Sequence, residues 1–422
     1  MLTDRILATY LIETPHPVEQ AAEVMAGEQS SGTFVAVPGE TPELRERHRA
    51  RVEHIAELET VDHPGLPGAR LPKADGAVRY RRAEVRLSFP LANVGPNLPT
   101  LFSTVAGNLY ELSEFSGLRL LDLDFPEAFA AAYPGPQFGI EGTRRLAGVH
   151  GRPIIGTIVK PSVGLSPQQT ADLVRELAEA GIDFVKDDEL MADPPHSPLA
   201  QRVEAVMRVI NEHAERTGKK VMYAVNITDE LDAMRRHHDT VLQAGGTCVM
   251  VSLNSLGLSG VSHLRRECEL PIHGHRNGWG MLTRCPSLGI EFTAYQKLWR
   301  LAGVDHLHVN GLQNKFWEPD DSVVRSIRAC LSPLLGGYPV MPVVSSGQWG
   351  GQAPETYRRA QTVDLMYVAG GGIMAHPHGP AAGVMGIRQA WEAAVAGIAL
   401  DEYARDHEEL RLTLEKFGKL RA

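Results

Sequence analysis

The sequence predicts an eight-stranded (β/α)8 barrel, or TIM barrel, preceded by a smaller α+β domain of the ferredoxin-like type. At 422 residues the chain is too long for one ordinary domain. Over residues 141–422, eight apolar strand segments alternate with amphipathic helical segments, as in a barrel of roughly 250 residues. Residues 1–140 mix strands and helices without that alternation, which is typical of an open α+β domain. Because no G-x-G-x-x-G turn follows the first strand of the regular region, a doubly wound open sheet is disfavoured.

The amino-terminal elements follow from apolar periodicity and from glycine and proline breaks. Helices are expected at 16–25, 98–112 and 126–132, and strands at 5–14, 32–37 and 118–123, with a long strand or hairpin at 78–90. The segment 45–51 alternates arginine with glutamate and histidine, so we interpret it as the solvated face of a helix.

The barrel strands are short apolar runs separated by helical patterns such as 167–180 and 381–396. The eight predicted strands are 154–160, 184–189, 221–227, 248–253, 271–276, 306–311, 340–346 and 365–370. A charged helix at 401–422 is expected to close the chain.

The composition indicates a globular protein with a sizeable core, since 43% of the residues are hydrophobic and 22% are charged. The net charge of -9 argues against a nucleic-acid-binding surface. No apolar run approaches the ~20 residues that a membrane span requires, and the amino terminus lacks a signal design, so no membrane association is expected. The four cysteines are scattered without a C-x-x-C pair, which disfavours a disulfide framework or a structural zinc site and fits the cytoplasm.

An acidic run ends the second predicted barrel strand, in the sequence Phe184-Val185-Lys186-Asp187-Asp188-Glu189. The two-residue repeat of a strand puts Lys186 and Asp188 on one face, and Glu189 can join them where the strand becomes a loop. Burying acids beside a lysine is costly unless a cation or another charge compensates them, so a divalent metal site is the first hypothesis. The alternative is an exposed, solvated strand end.

The other barrel strands also end in polar or glycine residues, and barrel active sites lie at those ends. These residues are Lys160, Asn226, His273, His275, Arg276, His306, His308, Lys315, 345–347 (Ser-Ser-Gly) and 370–372 (Gly-Gly-Gly). The glycine turns suit phosphate binding through backbone N–H groups, although ordinary loop chemistry explains them equally well. The histidines could instead be core residues satisfied by the backbone. Lys160 and Lys186 should share a small volume, which lowers the pKa of at least one of them and makes it a base or a site for carbon dioxide addition.

Two of these strand ends resemble the motifs of a known family. Residues 156–166 (GTIVKPSVGLS) and 186–189 (KDDE) are similar to the first- and second-strand motifs of the ribulose-bisphosphate carboxylase large subunit, and more closely to its non-carboxylating relatives, the Rubisco-like (form IV) proteins. The resemblance covers nearly the whole chain. It implies that Lys160 is a catalytic proton carrier. It also implies that Lys186 carries a carbamate, formed from CO2, which binds Mg²⁺ together with Asp188 and Glu189.

The same resemblance implies roles for further residues, one position at a time. His275 would act in proton transfer and Lys315 would lie on a mobile loop over the site. Substrate or phosphate contacts would come from Arg276, His308, Ser345, Gly347, Gly370 and Gly371. Glu28, Thr33 and Asn108 resemble amino-terminal residues that reach the partner subunit's site, which implies a homodimer with shared active sites.

The departures from the carboxylase pattern predict that this chain does not fix carbon dioxide. Ser162 stands where the carboxylases carry a second lysine, Ile158 replaces their threonine, and Phe34 replaces a tryptophan. Residues 314–317 read Asn-Lys-Phe-Trp instead of Gly-Lys-Leu-Glu.

The expected metal site and the nearby bases are retained despite these departures. They suit chemistry through an enediolate, which Mg²⁺ stabilises by offsetting its negative charge. The segments 308–311 and 314–316 most resemble family members proposed to act on 3-oxo-isoapionate 4-phosphate, by decarboxylation or by transcarboxylation and hydrolysis. One alternative is the methionine-salvage branch, as a 2,3-diketo-5-methylthiopentyl-1-phosphate enolase or a 5-methylthioribulose-1-phosphate isomerase. The other alternative is a non-catalytic module that binds a sugar phosphate.

Overall fold

The computed structural model describes residues 4–32, 37–73 and 77–419. The chain forms two compact units. The first comprises Met1–Pro134 together with Gly278–Ala302, and the second comprises Gly135–Asn277 together with Gly303–Ala422.

The helices and strands follow one another along the chain as given below. The first part contains β1 (Arg5–Thr14), α1 (Val18–Glu28), α2 (Pro42–His48), β2 (Arg51–Val61), β3 (Tyr80–Pro90), α3 (Leu91–Val94), α4 (Leu98–Ala106), a 3-10 turn (Asn108–Glu111), β4 (Gly117–Asp124), α5 (Ala128–Ala132) and α6 (Gly139–Ala147). The next part contains β5 (Ile154–Ile158), α7 (Pro167–Glu179), β6 (Phe184–Lys186), α8 (Leu199–Thr217), β7 (Met222–Asn226), α9 (Leu231–Gln243), β8 (Cys248–Ser252), α10 (Leu253–Glu267), β9 (Ile272–His275), α11 (Trp279–Thr283), β10 (Leu288–Ile290) and α12 (Phe292–Ala302). The last part contains β11 (His306–His308), α13 (Asp320–Leu331), β12 (Met341–Val344), a 3-10 turn (Gly350–Gln352), α14 (Ala353–Ala360), β13 (Met366–Val368), α15 (Gly371–Met374), α16 (Gly379–Ala396), α17 (Leu400–Tyr403) and α18 (Glu408–Gly418).

The first unit is built on a sheet in which five of the described strands follow the order β10-β4-β1-β3-β2. The central strand β1 pairs antiparallel with β3 and with β4 and is almost entirely buried. Helix α1 buries Val18, Ala21, Ala22 and Met25, the same face that the sequence periodicity predicts. The Tyr10 hydroxyl on β1 donates to the carbonyl of Val105 in α4, at 2.8 Å.

The edge strand β2 was not predicted from the sequence. The expected helix at 45–51 ends at His48, and Arg51 already begins the strand. Most side chains of β2 are exposed or half-buried on both faces, so the strand lacks the alternation of apolar and polar residues that marks a half-buried strand. The predicted strand at 32–37 falls largely on residues 33–36, outside the described residues.

The segment Gly278–Ala302 belongs to the first unit, although the sequence analysis assigned all of 141–422 to the barrel domain. Its strand β10 pairs parallel with β4. The guanidinium of Arg119 on β4 donates to the carbonyls of Thr283 and Leu288, at 3.1 and 3.2 Å, and pairs with Glu291 at 2.5 Å. This pairing joins residues far apart in sequence, so no local sequence pattern predicts it.

The second unit is a closed barrel of eight parallel strands in the order β11-β12-β13-β5-β6-β7-β8-β9, which confirms the predicted fold class. Its interior contains a core of apolar side chains, including Ile154, Phe184, Met222, Met250 and Met341. Each strand lies within its predicted segment and ends one to three residues earlier.

The closing segment contains two helices instead of the single predicted one. Helix α17 is a single turn, and α18 follows it and packs on α16. Residues 404–407, which are neither helix nor strand, separate them. Within 4–32, 37–73 and 77–419, no helix is long and apolar enough to span a membrane.

Candidate active site

Lys186 is the buried centre of the site, at the carboxyl end of β6. Its side chain is 1% exposed, and its Nζ donates to the carbonyl oxygen of Asp187 at 2.7 Å and lies 3.4 Å from the Glu189 carboxylate. Burial lowers the pKa of Lys186, and the opposing charges of Glu189 and Asp188 do not restore it. A lowered pKa favours the neutral amine, as the sequence analysis predicted for at least one of the two lysines.

Lys160 follows β5 and pairs with the second carboxylate of the acidic run. Its Nζ lies 2.7 Å from Asp188 Oδ2 and 2.7 Å from the hydroxyl of Ser162. Ser162, which stands where the carboxylases carry a second lysine, therefore serves as a hydrogen-bond acceptor for Lys160. The two lysines and the two carboxylates form one charged cluster, which excludes the alternative of a fully solvated strand end.

Asp187 points away from this cluster into the wall of the barrel. Its carboxylate accepts hydrogen bonds from the Tyr223 hydroxyl, from the backbone N–H of Asn226 at 3.0 Å, and from the buried Arg202 guanidinium at 3.3 Å. The run of three acids therefore divides: Asp188 and Glu189 face the lysines, and Asp187 is a structural residue.

Asn226, at the end of β7, holds the loop that carries the carboxylates. Its Nδ2 donates to the carbonyl oxygens of Asp188 and Glu189, both at 3.2 Å. The backbone of the acidic run is thus fixed from the neighbouring strand, which keeps the two carboxylates at defined positions.

His275, at the end of β9, lies beside Glu189, with 3.5 Å between Nε2 and the nearer carboxylate oxygen. Burial, together with the charge of Lys186, lowers the pKa of His275 to about 4, so the ring is neutral near pH 7. Its Nδ1 accepts the backbone N–H of Asn277 at 3.2 Å, which leaves the ring proton on Nε2, facing Glu189. Burial raises the pKa of Glu189, but His275 and Lys186 outweigh burial and lower it to about 2.

The carboxylates beside Lys186 are oxygen ligands of the kind that a magnesium ion takes. Across the described ranges, no group of three or more His, Cys, Asp or Glu side chains is arranged to hold a metal ion. Asp188 and Glu189 supply two carboxylates, and a carbamate on the Lys186 amine would add the third oxygen ligand. Such an all-oxygen set suits Mg²⁺, and a buried neutral amine is the form that adds carbon dioxide.

Arg276 is held by an acidic residue that no sequence motif indicates. Its Nη2 lies 2.7 Å from the carboxylate of Glu318, and both side chains are buried. Asn310 Nδ2 donates to the same carboxylate at 2.5 Å, and the Ser346 hydroxyl donates to the side-chain oxygen Oδ1 of Asn310 at 2.7 Å. Glu318 sits in the loop after β11 and carries no motif of its own, so only its contact with Arg276 identifies it.

Two of the predicted glycines, Gly347 and Gly370, lie beside predicted lysines in the second unit. A Cβ on Gly347 would come 3.4 Å from the Lys315 side chain, and one on Gly370 would come 3.6 Å from Lys160 Cε. The backbone N–H of Lys315 donates to the carbonyl of Ser346 at 3.1 Å, which ties its loop to the end of β12. Gly371 faces open space, with nothing within 4 Å of an added Cβ.

His308 and Ser345 contact one another, with 3.1 Å between His308 Nδ1 and Ser345 Oγ. The other ring nitrogen of His308 lies 2.8 Å from His273 Nε2. Both ring nitrogens of His308 are therefore engaged within the protein.

The three amino-terminal residues with predicted roles belong to the first unit. Glu28 ends α1, and Asn108 begins the 3-10 turn after α4. Thr33, like Phe34, lies outside the described residues.

Comparisons with known proteins agree with the motifs. The family model of the ribulose bisphosphate carboxylase large chain matches residues 139–417 with its catalytic domain and residues 2–129 with its N-terminal domain. A Xanthobacter autotrophicus protein named 3-oxo-isoapionate-4-phosphate transcarboxylase/hydrolase is 57% identical over 98% of this chain and 99% of its own. A Rhizobium etli protein named 3-oxo-isoapionate-4-phosphate decarboxylase is 51% identical over 98% of this chain and 99% of its own.

Solved structures give the same result. The crystal structure of a Rubisco-like protein from Burkholderia fungorum is 51% identical, covers 98% of this chain and 100% of its own, and superposes with a TM-score of 0.91. The octameric Rubisco of Pyrococcus horikoshii is 32% identical, covers 100% of this chain and 95% of its own, and has a TM-score of 0.87. The chain therefore belongs to the Rubisco large-chain family, as its strand-end motifs predicted, and its near relatives in that family are Rubisco-like proteins.

Proposed function

We propose that this protein is an enzyme that acts on 3-oxo-isoapionate 4-phosphate by transcarboxylation and hydrolysis. The observation that carries the proposal is the 57% identity, over nearly the full length of both chains, to the relative named for that activity. The charged cluster around Lys186 supports it, because loss of a carboxyl group β to a ketone leaves an enediolate that a buried, charged site can stabilise.

We further propose that Mg²⁺ binds to a carbamate on Lys186 and to the carboxylates of Asp188 and Glu189. When bound, the ion would offset the negative charge that develops on the enediolate oxygens. Asn226 supports this arrangement, since it fixes the backbone of both carboxylate residues from β7.

The remaining roles follow from the contacts of the chain's own residues. Lys160, held between Asp188 and Ser162, would hold or deliver the proton at the reacting carbon. His275 would donate its Nε2 proton to a substrate oxygen, because its other ring nitrogen is occupied by the backbone of Asn277. Arg276 would bind the phosphate or carboxylate through its fork of N–H donors. Gly347, Gly370 and Gly371 would let the substrate approach the backbone, and Lys315 would cover it.

Decarboxylation alone is the second candidate, favoured by the relatives from Rhizobium etli and Rhizobium rhizogenes that carry the decarboxylase name, each at 51% identity. The two reactions diverge at the enediolate. In decarboxylation CO2 leaves and a proton is added to the carbon. In transcarboxylation and hydrolysis the released CO2 instead bonds to the neighbouring carbon of the enediolate, and water then adds to the ketone. The bond between the former ketone carbon and the carboxylated carbon breaks, and a proton is added to the carboxylated carbon, which gives two acids.

The deciding experiment incubates the purified protein with Mg²⁺, bicarbonate and 3-oxo-isoapionate 4-phosphate, in H2¹⁸O and separately in D2O. We expect two carboxylic acids, one of them phosphorylated, with ¹⁸O in a carboxylate and no net CO2 release. CO2 release with deuterium on carbon would assign the decarboxylase instead. Turnover only of methylthio-sugar phosphates would assign the methionine-salvage branch. Binding without turnover of any of these substrates would assign the non-catalytic module.

We also propose a cytoplasmic homodimer with shared sites. Glu28, Thr33 and Asn108 would each reach the active site of the other subunit, as the family resemblance implies. A cytoplasmic location is supported by the cysteines, all four of which lie in the described residues and none of which forms a disulfide.

A further inference from the structure

A continuous chain of five hydrogen-bonding side chains crosses the interior of the barrel. We call it the histidine relay: Thr143, His306, His273, His308 and Ser345. The links measure 2.9 Å from Thr143 Oγ1 to His306 Nε2, 3.2 Å between the Nδ1 atoms of His306 and His273, 2.8 Å between the Nε2 atoms of His273 and His308, and 3.1 Å from His308 Nδ1 to Ser345 Oγ. The relay begins on α6 and ends beside the site, after β12.

The first link gives the relay a fixed direction. The Thr143 hydroxyl donates its proton to the carbonyl of Gly139, one turn earlier in α6, and a carbonyl can only accept. The Thr143 oxygen must therefore accept from His306, so His306 carries its proton on Nε2. In a neutral ring the other nitrogen, Nδ1, is then an acceptor.

The same reasoning assigns the donor and the acceptor at each of the following links. His306 Nδ1 accepts from His273 Nδ1, so His273 Nε2 is an acceptor and His308 Nε2 is the donor facing it. His308 Nδ1 then accepts, and the Ser345 hydroxyl must donate to it. All three rings are neutral, since burial lowers the pKa of His306 to about 3 and those of His273 and His308 well below the ordinary histidine value.

The direction of the relay determines what Ser345 can offer a substrate. Its proton is engaged by His308, and the neighbouring Ser346 hydroxyl donates to Asn310 at 2.7 Å. The Ser345 oxygen is thus left with acceptor lone pairs. A phosphate group, which offers mainly acceptor oxygens, gains nothing from such an oxygen, whereas a sugar hydroxyl can donate to it.

We propose that Thr143, His306 and His273 are positioning residues, which act through His308 to hold Ser345 as the acceptor for a substrate hydroxyl. The identity of the substrate in this inference rests on the proposed function. The direction of the relay does not depend on it. The competing explanation is that these are core histidines whose hydrogen bonds serve stability alone.

The first test is ¹⁵N NMR of histidine-labelled protein without substrate, because ring nitrogen shifts distinguish the two neutral tautomers. We expect His306 to be protonated on Nε2, His273 on Nδ1 and His308 on Nε2, with signals assigned through single variants. The reverse pattern in His308 would overturn the proposal. This readout does not depend on any activity, so it stands even if the proposed substrate is wrong.

The second test removes the group that sets the direction, by Thr143→Val. We expect His306, His273 and His308 all to change tautomer, which turns the Ser345 hydroxyl into a donor. KM should rise by about 5- to 10-fold, the effect of one lost hydrogen bond, with a smaller change in kcat. Thr143→Ser keeps the hydroxyl and should restore both the tautomers and KM.

A matched control separates this effect from the loss of a buried threonine. Thr170 is equally buried, and its hydroxyl donates to the carbonyl of Ser166 at 3.0 Å, four residues earlier in sequence and outside the relay. Thr170→Val should leave KM and the histidine shifts unchanged.

In a Ser345→Ala background, the Thr143→Val effect on KM should disappear, because the relay acts through Ser345. Additive effects of the two changes, or an unchanged KM in Thr143→Val with altered tautomers, would show that the relay has only a structural role.

Discussion

Lys186 is the residue on which the proposed chemistry depends most. It is enclosed at the end of β6, lies 3.4 Å from Glu189, and has a lowered pKa because of burial. The neighbouring carboxylates and this amine together form the set that a carbamate and a metal ion would complete.

The substitution Lys186→Ala should abolish Mg²⁺-dependent turnover, by at least about 1000-fold, because it removes the group that would complete the metal site. Steady-state kinetics with and without bicarbonate would measure the loss, and thermal unfolding would show that the variant folds. Lys220→Ala is the matched control, since Lys220 is a lysine of the same unit whose Nζ donates to the Gly245 carbonyl at 2.9 Å. Full activity in Lys186→Ala would contradict both the metal and the carbamate proposals.

Ser162 offers a second prediction at the residue scale. Its hydroxyl accepts a hydrogen bond from Lys160 at 2.7 Å, next to the contact of Lys160 with Asp188. Ser162→Ala should lower kcat by about 3- to 10-fold, the effect of one hydrogen bond that orients the proton carrier, while KM changes less. Ser166→Ala, which removes a serine that caps α7, serves as the control. A kcat equal to that of the unmodified protein would show that Asp188 alone orients Lys160.

At the scale of elements, Asp183 fixes the strand that carries Lys186. Its buried carboxylate, just before β6, lies 2.5 Å from Arg152 and 2.5 Å from Lys219, and it accepts the backbone N–H of Ile155 on β5 at 2.9 Å. Burial alone would raise the pKa of Asp183, but the hydrogen bonds and charges of Arg152 and Lys219 outweigh it and lower the pKa. The start of the second barrel strand is thus locked to the first strand and to the end of α8.

This network predicts how stability depends on pH. The pKa of Asp183 is lower in the folded protein than in the unfolded chain. Its contribution to the free energy of unfolding is therefore complete above the pKa of the unfolded chain, near 4. The contribution is lost as the pH falls through the folded value. Asp183→Asn should lower the free energy of unfolding at pH 7 by about 3 kcal/mol, the low end for breaking a buried pair, since its partners are partly exposed.

Urea unfolding at pH 7 and at pH 3 tests this prediction. The difference in the free energy of unfolding between the variant and the original chain should be smaller at pH 3. Asp172→Asn is the control, because the hydrogen bond that Asp172 accepts from Gln168 is exposed. An Asp183→Asn effect that is the same at both pH values would show that packing, not charge, is lost.

At the scale of the whole molecule, the proposed dimer gives a complementation experiment. If Glu28 serves the other subunit, a heterodimer of one Lys186→Ala chain and one Glu28→Gln chain contains one intact site, since the intact barrel meets the intact Glu28. We expect each single-variant homodimer to be inactive and the mixed dimer, purified through two different tags, to recover activity. A mixed dimer as inactive as its parents would show that Glu28 acts within its own chain.

Much of the barrel could be predicted because its strands are short local patterns. Each predicted strand corresponds to an observed one, and the cluster of Lys160, Lys186, Asp188 and Glu189 forms at the predicted strand ends. The edge strand β2 could not be predicted, because both of its faces are largely exposed and its residues show no alternation. The parallel pairing of β10 with β4 could not be predicted either, since it joins segments far apart in sequence.

The sequence by itself determined the fold class, the family and the residue types at the strand ends, because periodicity and motifs are local properties of the chain. Only the tertiary structure decided that Asp187 faces the wall, that Glu318 holds Arg276, and that three histidines form a directed chain ending at Ser345. Each of these contacts depends on the register between strands and on side-chain direction across the barrel. The donor and the acceptor of each hydrogen bond in this chain follow from one contact, in which the Thr143 hydroxyl donates to the carbonyl of Gly139.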